Sequence, residues 1–148
     1  MIYIAHRGNI NGRQPESENN PTYILNALKL GYDVEIDIWY ENGRIMIGHD
    51  KPEYEVTRDF FARTGLWNHA KNIETFEFLN DCKFRCFLHT NEDLAVTNRG
   101  DFWTFPGKYL MKNSIAVLPE TVNYTLEALK NCSAICSDNI QKYKETIG

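Results

Sequence analysis

Four short stretches hold residue types that can move protons and grip charged ligands. They are His6-Arg7-Gly8, Glu35-Ile36-Asp37, His49-Asp50 and His69-Ala70-Lys71. Each closes or interrupts an apolar run that reads as a strand. An arginine offers a planar fork that matches two phosphate oxygens. A glycine beside it lets the backbone turn sharply or approach a ligand closely. Glu35 and Asp37 are two residues apart, so on a strand they share one face, and Val34, Ile36 and Ile38 take the other. Adjacent carboxylates are costly unless positive charge stands between them, and a hard cation such as Mg²⁺ or Ca²⁺ takes oxygen ligands. The plainer explanation of the pair is a solvent-facing strand with two ordinary acids. His6 or His49 alone equally fits a structural hydrogen bond. Together, beside a cation and an arginine, they suit a phosphodiester reaction. One accepts a proton from the attacking oxygen, the other protonates the leaving alkoxide, and the cation neutralises phosphoryl charge.

The elements that must position these residues alternate. Ile2 to Ala5 reads as a strand, and Gly8 to Asn20 as a polar loop. Pro21 opens a helix that Gly31 stops. The run from Asp33 has period two, and Asn42-Gly43 predicts a hairpin turn after it. GLWNHAKN reads as a strand and IETFEFLND as a helix. FRCFLH, the aromatic DFWTFPG and SIAVLPE read as further strands. TVNYTLEALKN predicts a helix, SAICSD a last strand and NIQKYKETI a last helix. Strands alternating with helices imply a mostly parallel sheet with helices outside it, and the polar residues sit at the carboxyl ends of strands, where sites assemble in such folds.

The chain of 148 residues, 43% apolar and 24% charged, fits one globular α/β domain spanning residues 1–148. A net charge of −4 argues against a chain built mainly to hold nucleic acid. No apolar run approaches the roughly 20 residues of a membrane span, and the N-terminus lacks the pattern of a secretory signal. The expectation is a cytoplasmic protein without stable membrane insertion. Cys82, Cys86, Cys132 and Cys136 invite a zinc reading. Their spacing and strand-like settings fit buried free thiols better.

The ordered set IAHRGN, ESEN, VEIDIW and GHD resembles the glycerophosphodiester phosphodiesterase family, within the phosphatidylinositol-phospholipase-C-like phosphodiesterases. The resemblance covers residues 4–50 and is weak beyond them. It implies a metal-dependent phosphodiester hydrolase. It also implies a TIM-type (β/α) barrel. About seven strand candidates leave roughly 20 residues per unit, against about 30 for a full βαβ unit, so that barrel is small and reduced, its helices short or missing. In the family's terms His6 and His49 look like the acid–base pair, Arg7 like a phosphate ligand, and Glu35 and Asp37 like metal ligands. Glu18 matches a supporting glutamate, with Glu16 as a nearby competitor. Lys71 would contact phosphate. His69 stands where the family has a carboxylate that completes the metal site. Mg²⁺ or Ca²⁺ is therefore the expected cofactor, with Mn²⁺ or Zn²⁺ admitted by the imidazole.

The expected partner is a small phosphodiester, and a homodimer is compatible with thin helical cover. Two alternatives remain open. One is a degenerate barrel that binds a phosphorylated ligand without turning it over. The other is a zinc hydrolase built on His6, His49 and His69. Trp67, Trp103 and Phe105 read as core or rim packing, His89 as a strand-end residue, and Asp138 as the acidic end of the last strand without a catalytic role.

Overall fold

Glu35 and Asp37 lie on β2 (Asp33–Glu41), and the computed structural model, which describes residues 1–148, places that strand between β1 (Ile2–His6) and β5 (Leu66–Ala70). Both neighbours run parallel to it. The Asn42-Gly43 turn, with φ of 51° and 75°, returns the chain as β3 (Arg44–Ile47), and β4 (Tyr54–Val56) follows antiparallel. Positive φ at both central residues is what such a tight hairpin requires. Beyond β5 lies β6 (Cys86–Leu88). On the other side of β1 come β10 (Ala134–Ser137), β9 (Ser114–Val117), β8 (Phe102–Thr104) and the antiparallel β7 (Leu94–Val96). The ten strands form one curled sheet whose edges approach where the Asn98 amide donates to the Cys86 carbonyl at 2.9 Å. The fold is a mixed α/β, barrel-like one.

Period-two alternation separates two cores. Val34, Ile36 and Ile38 face outward and pack with Ile24, Leu79 and Ile140 of the helices. Ile4, Trp67, Phe87, Trp103, Ile115 and Cys136 face inward and fill the space the sheet encloses. That inner core uses strand residues alone, with Phe87 and Trp103 stacked at 4.3 Å.

Helical cover is thin. α1 (Pro21–Lys29) starts where Asn20 accepts from the Thr22 amide, and the chain turns at Gly31, φ 81°. α2 (Ile73–Asp81) is capped by Asn72. The helix expected across TVNYTLEALKN shrinks to α3 (Leu126–Lys130), capped by Thr125, with a single 3-10 turn at Pro119–Thr121. The SIAVLPE strand likewise stops at Val117, because Leu118 adopts φ 44°, a left-handed conformation that ends pairing. α4 (Ile140–Ile147) closes the chain. No helix joins β6 to β7 or β8 to β9. None of the helices is long and apolar enough to cross a membrane.

Filling of the inner core should dominate stability. Phe87→Ala removes a fully buried ring and should cost about 3–5 kcal/mol in urea unfolding, against about 1 kcal/mol for Ile115→Val.

Candidate metal and phosphate site

Register brings the candidate residues together. Across parallel strands His6 pairs with Glu35, and Asp37 pairs with His69. Directly paired residues point to the same face, so all four turn inward. His6 and His69 stand at the carboxyl ends of β1 and β5, whereas Glu35 and Asp37, expected near the end of their strand, lie in the middle of β2, which runs on into the hairpin. The solvent-facing explanation of the acidic pair fails, because Glu35 is 2% and Asp37 0% exposed. One cavity of ≈ 290 Å³ is lined by His6, Arg7, Glu35, His49, His69 and Lys71, with His89, Trp103 and Phe105 on its walls.

Asp37 is the most heavily contacted acid. Its Oδ1 lies 3.1 Å from His69 Nδ1 and accepts from Lys71 Nζ at 3.3 Å. Its Oδ2 accepts from Asn19 Nδ2 at 2.9 Å, and its amide donates to Asn19 Oδ1. Arg7 Nε sits 3.1 Å from Oδ2 but off the hydrogen-bond axis, so the contact is an ion pair and Nε–H has no aligned acceptor. Burial alone would raise the Asp37 pKa, but His69, Arg7 and Lys71 hold it well below the usual carboxylate range.

His69 is fixed at both ring nitrogens. Nε2–H donates to the His89 carbonyl at 3.1 Å, so Nδ1 faces Asp37 and, at 3.6 Å, Glu35. Its ring also stacks on Phe87 at 4.9 Å. Burial disfavours its charged form, yet the two carboxylates outweigh burial and raise its pKa to about 9. A metal-ligating histidine typically donates its other N–H to a carbonyl or carboxylate in this way. The Glu35, Asp37 and His69 ligand atoms all lie within 4.8 Å of one another. This donor set fits a divalent cation of Mg²⁺, Mn²⁺ or Zn²⁺ type. His6 and His49 stand outside it, so the three-histidine zinc arrangement is not formed. Nor do the cysteines form one: all four are free thiols, and burial pushes Cys86 up to about 11.

His6 has a partner that the sequence did not disclose. Asp138, just after β10, accepts from His6 Nδ1 at 2.8 Å. The opposite nitrogen, Nε2, lies 3.9 Å from Glu35 Oε2. Burial disfavours the imidazolium, but Asp138 and Glu35 prevail and raise the His6 pKa. Asp138 in turn accepts from Asn9 Nδ2, and its amide donates to Glu120. Glu18, not the exposed Glu16, is the buried acid of the loop. It accepts from Arg7, Asn9 and Arg13, supporting the arginine rather than touching His6.

The loops carry constrained backbone. Arg7 has φ 52° and Gly8 92°, and a Cβ on Gly8 would meet the Tyr23 ring at 2.7 Å. His49 arrives through the hairpin return, where the Gly48 amide donates to the Asp37 carbonyl and Trp39 Nε1 donates to the Gly48 carbonyl. His49 is itself exposed, with Nδ1 against Asp50 at 2.7 Å. Lys71, expected on phosphate, here pairs with Asp37. Trp67 and Trp103 are core residues, whereas Phe105 is a rim residue, 44% exposed.

Two outcomes follow from these charges. Asp37→Asn strands three cations around an uncharged amide and should cost about 3–5 kcal/mol, read by denaturant unfolding. In metal-free protein the raised His69 pKa adds stability that is complete below its unfolded value near 6.5 and lost as pH rises through about 9. Melting temperature in EDTA should therefore fall across that window, and His69→Gln should flatten the fall. No model of a known protein family, no curated protein and no solved structure matches this chain, so the functional reading rests on its residues and their geometry.

Proposed function

We propose that this chain is a metal-dependent phosphodiester hydrolase on a reduced TIM-type (β/α) barrel, as the resemblance of its motifs to glycerophosphodiester phosphodiesterases implies. The observation that carries the reading is the setting of His69. Its Nε2–H is held by a backbone carbonyl, and its Nδ1 is turned onto two buried carboxylates at a cavity that three further histidines and two cations also line.

Glu35, Asp37 and His69 would hold the cation, which when bound supplies charge neutralisation at the phosphoryl oxygens. Arg7 and Lys71 then complete a cationic wall for the remaining phosphate oxygen. His6 is oriented by Asp138, which fixes the proton on Nδ1 and leaves Nε2 for the cavity. His49, on the opposite loop and open to solvent, is the second proton-transfer group. One histidine takes the proton of the attacking hydroxyl and the other returns a proton to the departing alkoxide. The walls of Trp103, Phe105 and His89 exclude water from one side and receive the organic part of the substrate.

A second reading has its own support. Arg7 and Lys71 already lie within 3.3 Å of Asp37, so its charge is met without any metal. On that reading the cavity binds a phosphorylated ligand without turnover.

Hydrolysis of bis(p-nitrophenyl) phosphate and glycerophosphocholine, assayed with EDTA, Mg²⁺, Ca²⁺, Mn²⁺ and Zn²⁺, separates the two. The enzyme reading predicts turnover that needs a cation and falls by about 10²–10⁴ in His6→Ala. Asp138→Asn should lose less and move the His6 limb of the pH profile toward acid, since Asp138 helps hold that pKa up. Silence with every cation, joined to stabilisation by phosphodiesters, would favour the binding reading instead.

A further inference from the structure

Directly after His6 the chain turns back on itself. Arg7 and Gly8 take positive φ, and the Asn9 amide donates to the His6 carbonyl at 2.9 Å. That turn carries the Asn9 side chain into the protein, where the residue is 0% exposed. Burying a primary amide is costly unless its two N–H donors and its carbonyl oxygen all find partners. A polar loop after β1 gives no reason for that burial, so the reason lies with the partners.

Every donor and acceptor of the amide is used. Oδ1 accepts from the Gln14 amide at 3.1 Å and from the Tyr23 hydroxyl at 3.3 Å. Nδ2 donates to Glu18 Oε1 at 3.0 Å and to Asp138 Oδ1 at 2.8 Å. The reverse orientation would aim Oδ1 at two carboxylates and Nδ2 at an N–H donor, so the network admits only this one. A single nitrogen therefore joins two acids from opposite ends of the chain.

Each acid holds a different member of the candidate site. Asp138 Oδ1 also accepts from His6 Nδ1 at 2.8 Å, and Glu18 Oε2 accepts from Arg7 Nη1 at 3.1 Å. The two supports are unequal. Glu18 has a further side-chain donor in Arg13, whereas the Asp138 carboxylate has His6 and Asn9 alone. Without Asn9, Glu18 keeps both arginines. Asp138 keeps only the imidazole that it orients.

We propose that Asn9 is a positioning residue that sets His6 and Arg7 together through these two carboxylates, with the larger effect on His6. Its catalytic consequence rests on the hydrolase reading, but the setting of the imidazole does not. The first test therefore needs no turnover. In ¹⁵N–¹H spectra of the intact, metal-free protein, His6 Nδ1–H and both Asn9 Nδ2–H protons should exchange slowly with water. In Asn9→Ser the His6 Nδ1–H should exchange at least about tenfold faster, because its acceptor is no longer held from a second side. An Asn9 Nδ2–H that exchanges like a free amide in the wild type overturns the proposal without any variant. So does a His6 Nδ1–H that Asn9→Ser leaves unchanged.

The second test uses turnover of bis(p-nitrophenyl) phosphate. Asn9→Ser should lower kcat by about tenfold or more through His6 and raise KM by only about threefold through Arg7. Added to Asp138→Asn, it should lower kcat by less than about threefold further, since both changes act on the same imidazole. A residue that only holds the loop together would reduce the folded fraction, leave KM where it was and multiply with Asp138→Asn. That pattern overturns the proposal. If the wild type shows no turnover with any cation, the hydrolase reading fails and the exchange of His6 Nδ1–H alone decides whether Asn9 positions it.

Discussion

Two carboxylates side by side in a buried strand set the terms for the rest of this molecule. Glu35 and Asp37 project from β2 into the space enclosed by the sheet, where burial makes uncompensated charge costly. Positive groups converge on them from three directions: Arg7 from the loop after β1, His69 from within β5, and Lys71 from just beyond it. The parallel pairing of β1, β2 and β5 supplies the alignment, since register alone sets His6 beside Glu35 and His69 beside Asp37. A structure that concentrates charge this way has a local electrostatic problem at one end and a dry aromatic core beneath it. On the proposed reading, a divalent cation held by the two carboxylates and the His69 imidazole would resolve the first.

The supporting shell has the same logic. Asn19 occupies both a donor and an acceptor role on Asp37, Glu18 holds Arg7, and Asp138 holds His6. Positive φ occurs at Arg7 and Leu118, which line the cavity, and at Asn19, which holds Asp37. Backbone held in sparsely populated regions persists where neighbouring contacts over-determine it, and such positions cluster at functional sites.

Much of this was legible in residue order. The period-two run through β2 placed both acids on one face and its three aliphatic residues on the other, and Asn42-Gly43 announced the hairpin that carries His49. HAK read correctly as a strand end, and its His69 and Lys71 both line the candidate cavity. What escaped the sequence depended on distance along the chain or on loop shape. Asp138 is 132 residues from His6, and nothing local in ICSD distinguishes a histidine's partner from a strand-end acid. Asn9 and Asn19 are loop amides whose roles exist only once β2 and β10 flank β1. The helix expected from Thr121 onward failed because its first half is spent on a turn held by the left-handed Leu118 and by Glu120 reaching back to Ser137 and Asp138.

The central claim is that Glu35, Asp37 and His69 form a cation site. Electron paramagnetic resonance of Mn²⁺ titrated into substrate-free protein addresses it without reference to any activity. The account predicts one bound Mn²⁺ per chain, displaced by excess Mg²⁺ and abolished in Glu35→Gln, while that variant keeps its circular dichroism. Free Mn²⁺ signal throughout the wild-type titration, or binding that survives Glu35→Gln unchanged, would contradict it.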